Sequence, residues 1–130
     1  MAKVQKTEEA WREALGDFRY QVMRQAATER PFTGEYYEHQ APVGTYHCAA
    51  CDLALFDATH KYHSGCGWPS FWTELQTAKI LQRPDFSHGM RRIELLCSGC
   101  ESHLGHIFND GPPPTGQRYC INSVCLVFKA

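Results

Sequence analysis

The sequence predicts a mainly β fold, led in by short N-terminal helices and held together by a four-cysteine zinc site. Three observations carry this. From Val43 onward, short apolar or alternating runs are separated by Gly, Pro, Asn and Asp, the punctuation of strands and turns. Only residues 7–27 place apolar side chains at helical spacing. Two cysteine pairs share one two-residue spacer, Cys48-x-x-Cys51 and Cys97-x-x-Cys100, and together supply four soft thiolates for a tetrahedral ion. With 130 residues the chain has the length of a single domain, 1–130, with one core.

Taken in order, Thr7 suits a helix N-cap, and Trp11, Leu15, Phe18 and Val22 follow on one helical face. Gly16-Asp17 interrupts that face, so two short helices over about 7–27 are expected rather than one long one. Pro31 closes the segment, and residues 28–44, with Gly34, Pro42 and Gly44, form a wrapped loop. Strands are expected in the runs 43–48, 78–82, 91–97, 104–108 and 118–128 of a β region spanning about 43–129. Asp110 to Gly116 is a rigid turn or loop, because no strand continues through Pro112-Pro113-Pro114. There are no repeats and no low-complexity segments.

Charge is nearly balanced, 13 Lys+Arg against 14 Asp+Glu, which argues against a nucleic-acid or membrane partner held by electrostatics. No apolar run approaches the roughly 18–20 residues of a spanning helix. Met1 to Lys6 has no apolar stretch behind it, so no signal peptide and a cytoplasmic location are expected. In that compartment thiols persist and structural disulfides are rare. The odd count of seven cysteines also favours metal or redox roles over a disulfide framework.

The 45 residues between the two cysteine pairs exceed the roughly 15–20 of a compact zinc ribbon. The pairs therefore come from separate parts of the fold and are clipped together by one structural zinc ion per chain, whose binding adds to folding free energy. A thioredoxin-like redox reading is weak, since neither pair opens a helix after a strand. His47 could replace a cysteine as ligand, but four thiolates already complete the shell.

Three cysteines remain. On a strand, Arg118, Cys120 and Asn122 point the same way, which sets a permanent cation beside a thiol. A guanidinium there favours the thiolate that a nucleophile needs. The competing reading of Cys120 is a cysteine buried in a β core. Cys125 falls on the opposite parity, with Ile121, Ser123 and Val127, and reads as core filler. Cys66 lies in the Gly-flanked loop Ser64-Gly65-Cys66-Gly67-Trp68-Pro69-Ser70-Phe71, placed for thiol exchange or without any role. His103 and His106 would face opposite sides of a strand unless a turn at Gly105 brings them together. Trp68 is core by default, or a pocket wall beside Gly and Pro.

Thr28-Glu29-Arg30-Pro31-Phe32-Thr33-Gly34, Ser64 to Phe71, His103-Leu104-Gly105-His106-Ile107-Phe108-Asn109-Asp110-Gly111-Pro112 and Arg118-Tyr119-Cys120-Ile121-Asn122-Ser123 resemble, in order, the blocks of the B-type methionine sulfoxide reductases. The resemblance runs from about residue 17 to residue 128. It implies two antiparallel β-sheets, with the zinc remote from the active site. It also implies an oxidoreductase that repairs methionine-R-sulfoxide in oxidised proteins or peptides. By that resemblance Cys120 attacks the sulfoxide sulfur and becomes a sulfenic acid. Cys66 then resolves it as a disulfide, and thioredoxin reduces the disulfide. Trp68 and Phe108 would bind substrate, His103, His106 and Asn122 would form the polar part of the pocket, and Arg118 would support the thiolate. One departure is His63, which stands where the family usually carries an aspartate. The competing class is a zinc-stabilised β binding module without catalysis, which would have no need of the pair Cys66 and Cys120.

Overall fold

The computed structural model describes residues 4–130. Met1 to Lys3, part of the N-terminus read above as leaderless, lie outside the described residues. Thr7 precedes helix α1 (Glu8–Leu15), and its hydroxyl oxygen accepts the Ala10 N–H at 3.1 Å, satisfying one of the free donors of the first turn. The chain leaves α1 through Gly16 at φ 80°, a conformation other residues adopt only with strain, and α2 (Asp17–Gln25) starts afresh. The expected break is therefore present, but the expected face is not continuous across it. Phe18 is 52% exposed, while Tyr20, Val22 and Met23 are buried. The kink resets the helical phase, so a spacing counted through Gly16 loses its meaning.

Arg24 of α2 lies over the buried Trp11 ring and donates to the Cys100 carbonyl at 2.8 Å, fastening the helices to the second cysteine turn. Residues 28–44 wrap the body in turns, as expected, without a regular element. Among the described residues no helix is long and apolar enough to cross a membrane.

The strands are β1 (Thr45–Cys48), β2 (Ala54–Asp57), β3 (Lys61–Tyr62), β4 (Ser70–Phe71), β5 (Leu81–Asp85), β6 (Arg92–Leu96), β7 (His103–Phe108), β8 (Arg118–Ile121) and β9 (Leu126–Lys129). They form two antiparallel sheets, one in the order β2-β1-β9 and one in the order β3-β4-β8-β7-β6-β5. Aromatic side chains join them. Phe56 of β2 stacks on Phe71 of β4 with centroids 4.2 Å apart, and Tyr46 of β1 meets Phe71 edge-on at 5.3 Å. With Leu55, Leu95, Leu104 and Ile121 these side chains are fully buried. Each contributes roughly 1.5–3 kcal/mol by leaving water.

Two strand expectations are corrected. The run 118–128 is not one strand. β8 stops at Ile121, a 3₁₀ turn covers Ser123–Cys125, and β9 joins the other sheet. The stop is made by Asn122, whose side chain accepts the Glu29 N–H at 3.0 Å and donates to the Leu104 carbonyl at 3.1 Å. Strand parity therefore does not reach Cys125, yet its side chain is fully buried all the same. The run 78–82 is displaced to Leu81–Asp85, and Pro84 is accommodated because β5 is an edge strand.

Candidate functional site

Four of the seven cysteines form one cluster. The two cysteine turns are built alike, since the Asp52 N–H reaches the Cys48 carbonyl at 2.8 Å and the Glu101 N–H reaches the Cys97 carbonyl at 2.7 Å. Asp52 at φ 71° and Glu101 at φ 62° make the left-handed step that closes each turn. The Gly99 N–H points at the Cys97 sulfur at 3.3 Å, and a Cβ on Gly99 would stand 2.8 Å from the Cys51 sulfur. Sγ of Cys48, Cys51, Cys97 and Cys100 all lie within 4.8 Å of one another, with Cys48 to Cys100 at 3.7 Å and Cys51 to Cys97 at 3.6 Å. Four bonds of about 2.3 Å in a tetrahedron set a sulfur–sulfur edge of about 3.8 Å, so the cluster fits a zinc ion. His47 is turned elsewhere, its Nδ1 bonded to the Asp52 carbonyl at 2.9 Å. Hydrogen bonding to Cys100 pushes the Cys48 and Cys97 thiols up, while Cys100 itself is held low by the Cys48 thiol.

Two of the other cysteines meet in a pocket of about 190 Å³ that includes none of the four clustered ones. β8 carries Arg118 and Cys120 to one wall, and Asn122 follows at its end, as alternation predicts. His106 and Phe108 lie beside them on β7, as the register partners of Cys120 and Arg118, and Cys66 and Trp68 line the same pocket from the loop before β4. Sγ of Cys66 and Sγ of Cys120 are 4.0 Å apart, although 54 positions separate them in sequence. The Cys66 loop comes this close because Gly65 and Gly67 take φ 81° and 98°, and a Cβ on Gly67 would stand 2.6 Å from Pro31. Trp68 is held by its indole N–H, which donates to the Glu29 carbonyl at 3.1 Å.

The charge of the pair sits differently from the sequence expectation. Cys120 donates to Cys66, and the Ser64 hydroxyl at 3.0 Å and the Ser70 hydroxyl at 3.4 Å add to it, bringing the Cys66 thiol down to about 4. The same hydrogen bond, with burial, pushes Cys120 up, and Arg118 only partly opposes this. Arg118 is engaged elsewhere, in a two-point bond to Asp110 at 2.8 and 3.2 Å and over the Phe108 ring at 4.4 Å. The bond between the two sulfurs, with the Ser64 and Ser70 hydroxyls, thus favours negative charge on Cys66 and the proton on Cys120.

The two histidines reach one side of the sheet by a bulge rather than by a turn at Gly105. Leu96 pairs with His103 and Leu95 with Gly105, which leaves Leu104 as an extra residue and reverses the alternation. The rings then lie 5.5 Å apart. His106 lines the pocket, whereas His103 is buried behind it and does not. Two carboxylates escaped the sequence reading. Asp85 bonds His106 at 2.8 Å, and Glu94 bonds His103 at 2.7 Å. Glu94 was visible in principle, as a charge inside the apolar run Ile93-Glu94-Leu95-Leu96.

The SelR domain model matches residues 15–130. The chain is 56% identical over 129 residues to the peptide methionine sulfoxide reductase MsrB of Pseudomonas putida, covering 99% of this chain and 96% of that protein. It is 54% identical over 129 residues to the protein of the same description from Azotobacter vinelandii, covering 99% and 96%. With that from Hahella chejuensis the identity is 54% over 128 residues, covering 98% and 91%.

Proposed function

The chain belongs to the SelR-domain family, and from that premise we propose that it reduces methionine-R-sulfoxide in proteins to methionine with the thiol pair Cys66 and Cys120. The observation that carries the reading is the 4.0 Å approach of the two sulfurs inside a pocket walled by Trp68 and Phe108. In the reaction the Cys120 sulfur attacks the sulfoxide sulfur while its proton passes to the Cys66 thiolate beside it. A proton from His106 goes to the sulfoxide oxygen, since His106 and not His103 opens onto the pocket. Oxygen moves to Cys120 as a sulfenic acid and methionine leaves, so the substrate sulfur gains two electrons and the cysteine sulfur loses two. Cys66 then attacks the sulfenic sulfur, water departs, and a Cys66–Cys120 disulfide remains. A reduced dithiol protein, thioredoxin, restores both thiols by exchange.

Among the residues lining the pocket, Trp68 and Phe108 would take the methyl group and chain of the substrate, and His106 and Asn122 would meet the oxygen. That division between apolar and polar groups would distinguish the two sulfoxide epimers. Zinc held by Cys48, Cys51, Cys97 and Cys100 would serve the fold, because four thiolates leave it no open position. One observation favours a second reading with the cysteine roles exchanged, namely the Ser64 and Ser70 hydroxyls at 3.0 and 3.4 Å from the Cys66 sulfur, which favour its thiolate. A dithiothreitol-driven assay on separated R and S epimers decides between them. The expected result is turnover of the R epimer alone and none with Cys120→Ser, while Cys66→Ser, mixed with the R epimer without added reductant, should yield one equivalent of methionine. The mirror result for the two variants reverses the roles, and an inactive wild type removes the proposal in favour of a binding module.

A further inference from the structure

We propose that Asp85 is a positioning residue for the reduction step, fixing the tautomer of His106, with Glu94 fixing that of His103 behind it; this rests on the reductase reading above. Neither carboxylate lines the pocket, and each acts through a histidine. Asp85 is held on both oxygens. Oδ1 accepts the Ser87 N–H at 2.9 Å, and Oδ2 lies 2.8 Å from His106 Nε2 and 3.4 Å from Arg92 Nη2. These contacts, led by Ser87 and His106, hold the Asp85 carboxyl well below the usual range, so it is ionised and can only accept. His106 must then keep a hydrogen on Nε2, and Nδ1 is the nitrogen that gains and gives up a proton. An aspartate behind a histidine that sets its tautomer without titrating is a known economy of acid–base sites.

Glu94 repeats the arrangement one position deeper. Its Oε1 receives Arg83 Nε at 3.1 Å and Nη2 at 2.8 Å, and its Oε2 lies 2.7 Å from His103 Nδ1. Nε2 of His103 is left bare and is buried without a partner among the described residues. Burial holds His103 neutral by pushing it below its ordinary value, with Glu94 opposing. Register explains why the pieces meet, since Arg83 faces Glu94 and Asp85 faces Arg92 across β5–β6, and Glu94 faces His106 across β6–β7. The outer hairpin thus supplies a second layer of acceptors behind the histidines.

The test uses the full chain, reduced, mixed without added reductant with a peptide containing methionine-R-sulfoxide. Asp85→Asn should slow formation of the first equivalent of methionine by roughly tenfold or more. The peptide concentration giving half the maximal rate should change by less than about twofold. Long-range ¹H–¹⁵N spectra of the histidine rings should show His106 as the Nε2–H tautomer in the wild type and as a mixture in Asp85→Asn. A wild-type rate in Asp85→Asn overturns the proposal, and so does a slowed variant whose His106 tautomer is unchanged. If Asp85→Asn does not fold, the wild-type spectrum decides alone, because a His106 carrying its hydrogen on Nδ1 contradicts the assignment. A wild type inactive on both epimers would instead refute the reductase reading, leaving the tautomer result to stand by itself.

Discussion

Gly105 is the residue whose replacement separates the reacting groups most directly. It lies in β7 opposite Ile121, next to the register pair His106 and Cys120. A Cβ built on it would stand 2.0 Å from the Cys120 carbonyl oxygen and 3.0 Å from both the Cys120 carbonyl carbon and the Ile121 Cα, where ordinary contact begins at 3.4 Å. All three atoms are backbone, so no side chain can swing away, and β7 and β8 must part by more than an ångström at this point. Overpacking in a core costs about 1–3 kcal/mol. Stretching two neighbouring ladder hydrogen bonds adds about 1 kcal/mol each. Gly105→Ala should therefore lose about 3–5 kcal/mol, a large share of the 5–15 kcal/mol typical of a native protein. It should also reduce turnover about a hundredfold in whatever fraction stays folded, because an ångström of misplacement is worth that much. Urea unfolding followed by tryptophan fluorescence reads the first number, and single-turnover reduction of a methionine-R-sulfoxide peptide in dilute buffer reads the second. An unfolding midpoint and rate equal to wild type would refute the steric argument and the strand pairing from which it is built.

Further expectations concern the cysteines. Cys66→Ser should form one equivalent of methionine and then stall with thioredoxin, and undiminished recycling would remove Cys66 from the cycle. Iodoacetamide should label Cys66 before Cys120 from about pH 5 upward, since the folded Cys66 thiol ionises near 4; preferential labelling of Cys120 across that range would contradict the hydrogen-bond arrangement. Because that value is below the unfolded one, the contribution of Cys66 ionisation to stability is complete above pH 9 and is lost as pH falls towards 4, which unfolding midpoints of wild type and Cys66→Ser across that range would show. In Cys66→Ser the largest upward push on Cys120 disappears, so its labelling should move to lower pH; a shift the other way sinks the account of the pair. Elemental analysis should find one zinc ion per chain in the wild type and none in Cys97→Ser, whose melting temperature should fall by more than about 10 °C; an unchanged melt counts against a structural role.

The parts of the molecule that could be read from sequence are those whose signal is local. The break at Gly16, the long strands β6 and β7, and the two cysteine turns each carry their pattern within a few residues. β3 and β4 have two residues apiece, too few for alternation to register, and they pair only because β8 lies beside β4. Asn122 looks like one more alternating residue. It ends β8 because its amide is claimed by Glu29, 93 positions away, and by Leu104, 18 positions away. Arg118-Tyr119-Cys120-Ile121-Asn122 and the Gly-flanked Cys66 were legible as candidates, but their meeting is a long-range fact. The histidines were legible as a pair, but strand alternation alone set them on opposite sides, and the bulge at Leu104 that brings their rings together depends on the pairing with β6.

The cysteine cluster does more than close a loop. Cys97 follows the last residue of β6, and Ser102 precedes the first of β7, with the Cys97 N–H bonded to the Ser102 carbonyl at 2.9 Å. The second cysteine turn is therefore the connection between the strand carrying Glu94 and the strand carrying His103 and His106. The first turn ends β1 of the other sheet, where Cys48 pairs with Leu126 and the Ala49 N–H reaches the Cys125 carbonyl at 2.8 Å. An ion bound by both turns would tie the smaller sheet to the hairpin behind the pocket. Its loss should accordingly appear first in the melt and in the ring environments of the two histidines, and in turnover only through them. A protein that kept its melt and its histidine signals without zinc, yet lost activity, would require the metal in the chemistry itself, and four thiolates around one ion argue against that.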